Sequence, residues 1–134
     1  MMGVFNQLAI AFQYPTTKSF EQLENNMEEF ADGPIKSSYV LFWNKIRNLS
    51  LSQFEELYTR TLDLNPSAAP YIGFQIWGES YQRGEFLALM NHALRNAEVD
   101  LHGELSDHLL PVLNYLEISN NPVPELIEVL QPAV

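Results

Sequence analysis

The sequence has no cysteine, so thiol nucleophiles, thiolate metal sites and a disulfide framework are excluded. Cations are scarce: 7 Lys and Arg stand against 17 Asp and Glu, for a formal net charge of -10. That balance opposes long-range attraction to nucleic acid or to an anionic membrane surface, and a partner drawn in by field alone should be basic. No stretch approaches the ~20 consecutive apolar residues that cross a bilayer. The apolar stretch within Met1 to Tyr14 has no Lys or Arg ahead of it, so it lacks the charged start of a secretory signal, and the expected location is cytoplasmic. Glycine is scattered, and none of the six is followed by Lys-Ser or Lys-Thr. There is thus neither a P-loop nor a dinucleotide cradle, and no nucleophile elbow is present.

What remains is a chain of 134 residues, 46% hydrophobic and 12% aromatic. That length predicts one domain with one core, without an internal repeat or composition shift to divide it. The apolar spacing is helical throughout and nowhere strictly alternating. Phe20, Leu23, Met27 and Phe30 repeat at three and four residues, with Glu21, Glu24, Glu28 and Glu29 on the other face. A second helix is expected from Ser37, with Tyr39, Phe42, Trp43 and Ile46 in its stripe. A third starts at Ser50 or Ser52, since each has a capping-box partner three residues on, Gln53 and Glu55. Leu51, Phe54, Leu57, Tyr58 and Leu62 follow. Pro70 is expected to open a short helix through Trp77. Beyond Gly78 a long helix carries Phe86, Leu87, Met90, Ala93, Leu94 and Ala97. After a loop from Glu98 to Ser106, one helix carries Leu109, Val112, Leu113 and Leu116, and a last one runs from Pro124 to Leu130. The fold class expected is all-α, a single-domain bundle of about seven helices.

Three histidines, His92, His102 and His108, are the candidates for acid-base work. His92, beside Asn91, is expected to be a solvated helix residue. Glu104 and Asp107 flank His108, which permits a carboxylate-imidazole pair. The same residues also fit a structural reading, in which Asp107 caps the helix starting near Leu109 and Glu104 and His108 fix the turn. A metal site drawing on His102, Glu104, Asp107 and His108 would lack the separated ligand pairs of a zinc signature, so none is assigned. Tyr71, Ile72, Phe74 and Trp77 form the densest aromatic patch, suited either to the core or to lining an apolar ligand. All seven Lys and Arg lie at or before Arg95, so the segment from Asn96 onward is purely acidic.

Four segments stand in order: Tyr14-Pro15, then Leu57-Tyr58-Thr59-Arg60-Thr61-Leu62-Asp63, then Gly78-Glu79-Ser80-Tyr81-Gln82-Arg83-Gly84, and last Glu104-Leu105-Ser106-Asp107-His108-Leu109. Together they resemble the nitrate reductase delta-subunit (NarJ-type) members of the TorD/DmsD family of molybdoenzyme assembly chaperones. Ser106 stands where that family commonly has Pro, Leu62 where it has Phe, and the proline after the Asp-His pair is displaced to Pro111. Without the proline before Asp107 the loop is expected to be less rigid. The chain also ends about where family members continue with several more helices, so a minimal member or an assembly completed by a second copy is expected.

The resemblance implies a TorD-like, all-helical, non-catalytic protein with no cofactor of its own. It would act in the cytoplasm on a molybdoenzyme, nitrate reductase or a related reductase. Its partner would be the apo catalytic subunit, bound through a basic-apolar N-terminal segment such as a twin-arginine leader and held while the molybdenum cofactor is inserted. A homodimer is compatible with this; nucleic-acid binding and membrane insertion are not expected. Carried over by residue, the peptide-binding set is Glu104, Asp107, His108 and Glu79, with Trp77 from the aromatic patch. On this reading, replacing Asp107 and His108 together by Ala weakens binding without unfolding. Arg83 and Gly84 match the third segment as residues that position the fold, Gly84 through close helix packing, while Tyr58 and Asp63 are expected to be structural. Two other readings stay open: a small helical hydrolase-type enzyme using His108 with Asp107 or Glu104, and a self-associating structural protein.

Overall fold

The residues that start the helices explain most of the architecture. In the computed structural model, which describes residues 3–131, the regular structure is helical and no strand is present among the described residues. The helices are α1 (Val4–Ala9), α2 (Thr17–Glu29), α3 (Pro34–Ile46), α4 (Leu51–Tyr58), α5 (Ile72–Trp77), α6 (Tyr81–Asn96), α7 (Leu109–Ile118) and α8 (Pro124–Leu130). The Thr16 and Ser50 side chains each accept a hydrogen bond from the backbone N–H three residues on, and the Ser19 and Gln53 side chains accept one from the backbone N–H of the cap residue. These reciprocal boxes satisfy otherwise orphaned N–H groups, and they settle the start of α4 at Ser50 rather than Ser52. α3 begins at Pro34, a turn earlier than Ser37. Proline suits the first helical position, where its missing N–H costs nothing.

The chain divides into two compact units, one up to Ala68 and one from Ala69 onward. Length alone predicts one core; the buried apolar residues instead collect in two clusters, one within each unit. In the first unit Leu23, Phe30, Tyr39, Trp43, Ile46 and Phe54 pack with Ile10. Phe20 meets Trp43 and Phe54 edge-on, with ring centroids 5.4 and 5.5 Å apart, the geometry that aromatic quadrupoles favour. After α4 the chain continues through a π-helical turn, Thr59–Asp63, which the apolar spacing does not signal.

The second unit is built on α6 and α7. Phe86, Met90, Ala93 and Leu94 are the buried face of α6, as its spacing predicts, and they pack with Val112, Tyr115 and Leu126. On α7 the buried residues are Leu110, Pro111, Val112 and Tyr115, whereas Leu109, Leu113 and Leu116 are only half-buried. The stripe is thus shifted from the expected one: Tyr115 is buried in the core, while Leu116 packs against it half-buried. Tyr115 also accepts the Val123 N–H through its hydroxyl, 3.0 Å, which ties the approach to α8. Pro70 does not open α5; its carbonyl accepts from Leu109 N–H at 2.8 Å, and Ile72 N–H donates to Asp107 O at 2.9 Å. These bonds make an isolated antiparallel bridge between Tyr71 and His108.

Tyr39 carries a measurable consequence of burial in the first unit. Its hydroxyl donates to Leu23 O at 3.0 Å, and desolvation pushes its pKa up to about 12, whereas an unfolded tyrosine ionises near pH ~10. A folded pKa above the unfolded one gives stabilisation that is complete below the unfolded pKa and is lost as pH rises through the folded pKa. Thermal melts at about pH 8 and about pH 11 should therefore show wild type losing more stability than Tyr39→Phe. That variant gives up about 1 kcal/mol of hydrogen bonding at neutral pH but has no phenol to ionise. Equal alkaline losses in the two proteins would refute the assignment.

Candidate functional site

The third and fourth sequence segments meet inside the second unit. Gly78 ends α5 with a φ of +64°, a conformation that side chains other than glycine's resist, and the chain turns through Ser80 into α6. This places Arg83 in the first turn of α6, facing the 104–109 segment. Arg83 Nε donates to Asp107 Oδ2 at 3.0 Å and Arg83 Nη2 to Asp107 Oδ1 at 3.2 Å, a two-pronged pair. The Asp107 side chain is 0% exposed and that of Arg83 14%. The guanidinium carbon also lies 5.6 Å from the Tyr71 ring centroid and 5.5 Å from that of Phe74, so two aromatic faces enclose the cation. Tyr71 donates its hydroxyl to Glu104 Oε2 at 2.7 Å and packs edge-on against the His108 ring, 5.0 Å between centroids.

This geometry corrects the roles expected from sequence. Asp107 does not cap α7, because both its oxygens are held by Arg83. The cap is His108, whose Nδ1 accepts from Leu110 N–H at 3.0 Å. Asp107 and His108 are fully buried and so present no surface to a peptide. Their joint replacement by Ala would remove an ion-pair partner and a helix cap, and cannot serve as a test of binding in a folded protein. Asp107 is paired with Arg83 rather than with His108, and Glu104 accepts from the Tyr71 hydroxyl. Trp77 is half-buried against Phe86, ring centroids 5.3 Å apart, so it belongs to the core. Of the peptide-binding set only Glu79 is exposed, with Glu104 half-buried.

Other expectations resolve individually. Ser106, in place of the family's proline, is buried and donates its hydroxyl to Leu87 O at 2.9 Å, anchoring the loop to α6 by a bond that proline cannot make. His92 is exposed and paired with Asn96 at 3.1 Å, the solvated helix residue expected. His102 is exposed beside Asn114, 3.3 Å, away from the buried pair, and no group of three acid or imidazole side chains able to hold a metal occurs among the described residues. Gly84 makes no close packing: a Cβ there would meet nothing within 4 Å. The close approach falls at Gly73, where a Cβ would lie 2.7 Å from Asp107 Oδ2 and 3.1 Å from Arg83 Cγ. Sequence reading missed Gly73, because a lone glycine in a short helix looks the same whether or not a carboxylate sits above it.

The first and second segments meet likewise, within the first unit. Tyr58, buried, donates its hydroxyl to Phe12 O at 2.8 Å. Tyr14 stacks edge-on against it with centroids 5.4 Å apart and donates to Glu55 Oε2 at 3.0 Å. That bond to Glu55 raises the Tyr14 pKa. Beside these residues α1, α3 and α4 leave an apolar trough of about 660 Å³, lined by Phe12, Ile35, Phe42, Leu57 and Leu62 among others. Apolar spacing along the chain does not reveal it. Ile35 stands four residues before Tyr39, in register with the stripe of α3, yet it is 51% exposed and lines the trough.

The surface charge of the second unit follows from the same contacts. Glu79, Glu85, Glu98, Asp100, Glu125 and Glu128 are exposed. Because Arg83 is bound to Asp107, Arg95 is the one exposed cation among the described residues of this unit. No helix among those residues is long and apolar enough to cross a membrane. Comparison of the chain with protein-family models, with curated proteins and with solved structures gave no match.

Proposed function

We propose that the chain is a redox-enzyme maturation chaperone of the nitrate reductase delta-subunit type. In this reading it acts in the cytoplasm, binds the basic-apolar N-terminal segment of a molybdoenzyme catalytic subunit, and holds that apoenzyme while the client's molybdenum cofactor is inserted. The observation that supports it best is the pairing of the four segments in space. Tyr14 lies against Tyr58, and Arg83 grips Asp107. Segments that resemble a family's pattern and also form the internal joints of each unit are what a shared fold requires. Asp107, His108 and Trp77 then maintain that fold, and the exposed acids of the second unit, Glu79 foremost, are the groups that meet the client's arginines.

The test is affinity capture from the native cells together with calorimetry on a synthetic N-terminal peptide of the captured catalytic subunit. A molybdoenzyme subunit should be recovered, and the peptide should bind with an affinity that falls as salt rises, because exposed charge pairs are screened beyond about 8 Å at physiological ionic strength. Charge reversal in Glu79→Lys/Glu85→Lys should weaken binding at least fivefold with the melting temperature unchanged. Capture of no such subunit, or peptide affinity indifferent to both salt and charge reversal, would defeat the proposal.

A further inference from the structure

The trough of the first unit has the dimensions and periodicity of a seat for a helix. From α3 it is lined by Ile35, Ser38, Phe42 and Lys45, spaced by three, four and three residues, and from α4 and the π-helical turn by a second row that includes Leu57 and Leu62. Two such rows present ridges between which the side chains of a third helix interdigitate. The row on α3 spans ten residue steps from Ile35 to Lys45, and at about 1.5 Å per step it runs roughly 15 Å, two to three turns. Lys45, near the C-terminal end of α3, is the one charged residue among those lining the trough, and no ion pair engages it among the described residues.

From this we infer that the first unit binds an amphipathic helix of two to three turns that presents an apolar stripe and carries a carboxylate at the end lying beside Lys45. The charge fixes the occupant. A lone cation at the rim of an apolar seat favours a partner with an acidic end and disfavours one with arginine there. The stripe positions follow the i, i+3, i+4, i+7 anchoring of helix-in-groove recognition. This segment differs in charge from the basic client leader proposed above. The inference does not rest on that reading and stands or falls separately.

The probes are two designed 14-residue, fluorescently labelled peptides with the same Leu stripe at that spacing, one with Glu and the other with Lys at both ends. Fluorescence anisotropy with the full chain should show the Glu peptide binding at least threefold more tightly than the Lys peptide. Lys45→Glu should reverse the order. Ile35→Asp, at a position exposed enough to tolerate a charge without unfolding, should weaken both peptides at least tenfold, with circular dichroism unchanged. Indifference to end charge in wild type, or an order that Lys45→Glu does not change, would overturn the assignment. A wild-type dimer that Ile35→Asp dissociates in sedimentation would overturn it too, making a second copy of the chain the occupant.

Discussion

Gly73→Ala should be among the most damaging single-methyl additions in the molecule, lowering stability by about 2–4 kcal/mol, whereas Gly84→Ala should raise it by about 0.5–1 kcal/mol. Both glycines are helical. Their difference lies in what faces the missing Cβ. At Gly73 the added carbon would stand 2.7 Å from Asp107 Oδ2, 3.1 Å from Arg83 Cγ and 3.3 Å from Phe86 Cδ2. The first of these is closer than a carbon and an oxygen can pack, and the carboxylate cannot swing aside without breaking its two bonds to Arg83 in a site closed to water. At Gly84 a methyl group meets open space, so the variant keeps only the helix-propensity gain of alanine. Denaturant titration of the two variants beside wild type checks the pair. Equal and small effects at both positions would mean that the second unit yields around Asp107 far more easily than its packing suggests.

Removing Arg83 should cost still more, about 3–5 kcal/mol for Arg83→Met, because it strands a carboxylate that is 0% exposed. The penalty is that of an uncompensated buried charge rather than the intrinsic worth of the ion pair. A second substitution shows the difference: Asp107→Leu in the Arg83→Met background removes the stranded charge and should restore part of the loss, so the two changes together cost less than their sum by roughly 1–3 kcal/mol. The two aromatic faces on the guanidinium, Tyr71 and Phe74, are why Lys is a poor replacement here. An ammonium group lacks the planar fork that lies flat against a ring while meeting both carboxylate oxygens with parallel N–H bonds. Additive losses in the double-mutant cycle, read from urea midpoints, would show that Arg83 and Asp107 act independently.

These expectations bear on how a binding site should be sought in this chain. Acidic residues in a sequence advertise a surface, and the run of acids after Arg95 encouraged that reading of Glu104, Asp107 and His108. The structure turns the last two inward and gives each an internal duty, one as counter-ion to Arg83 and the other as cap to α7. Exposed acidity persists at Glu79, Glu85, Glu98, Asp100, Glu125 and Glu128, so the field that would attract a basic partner survives while the contact residues change. In the first unit, the residues that line a trough of about 660 Å³ are ordinary members of helical stripes or apolar residues just outside them. They become a site only because no described residue of the first unit fills the space between α3 and α4.

Local signals account for what was legible. The capping oxygen at Ser50, Pro124 at a first helical position and Gly78 at a helix end mark boundaries through hydrogen bonds and φ angles contained within a few residues. The all-α class, the buried face of α6 and the extent of α8 follow from these and from apolar spacing. What required the tertiary structure was every relation between segments far apart in sequence. Such relations include the division of the core into two clusters, the meeting of Arg83 with Asp107 across 24 residues, the approach of Asp107 Oδ2 to within 2.7 Å of where a Cβ on Gly73 would stand and the shift that buries Tyr115 more deeply than Leu116. A carboxylate carries the same letter whether it faces water or an arginine. Its environment depends on how helices pack, and that packing is decided by the fit of many side chains at once, which spacing along a single chain does not encode.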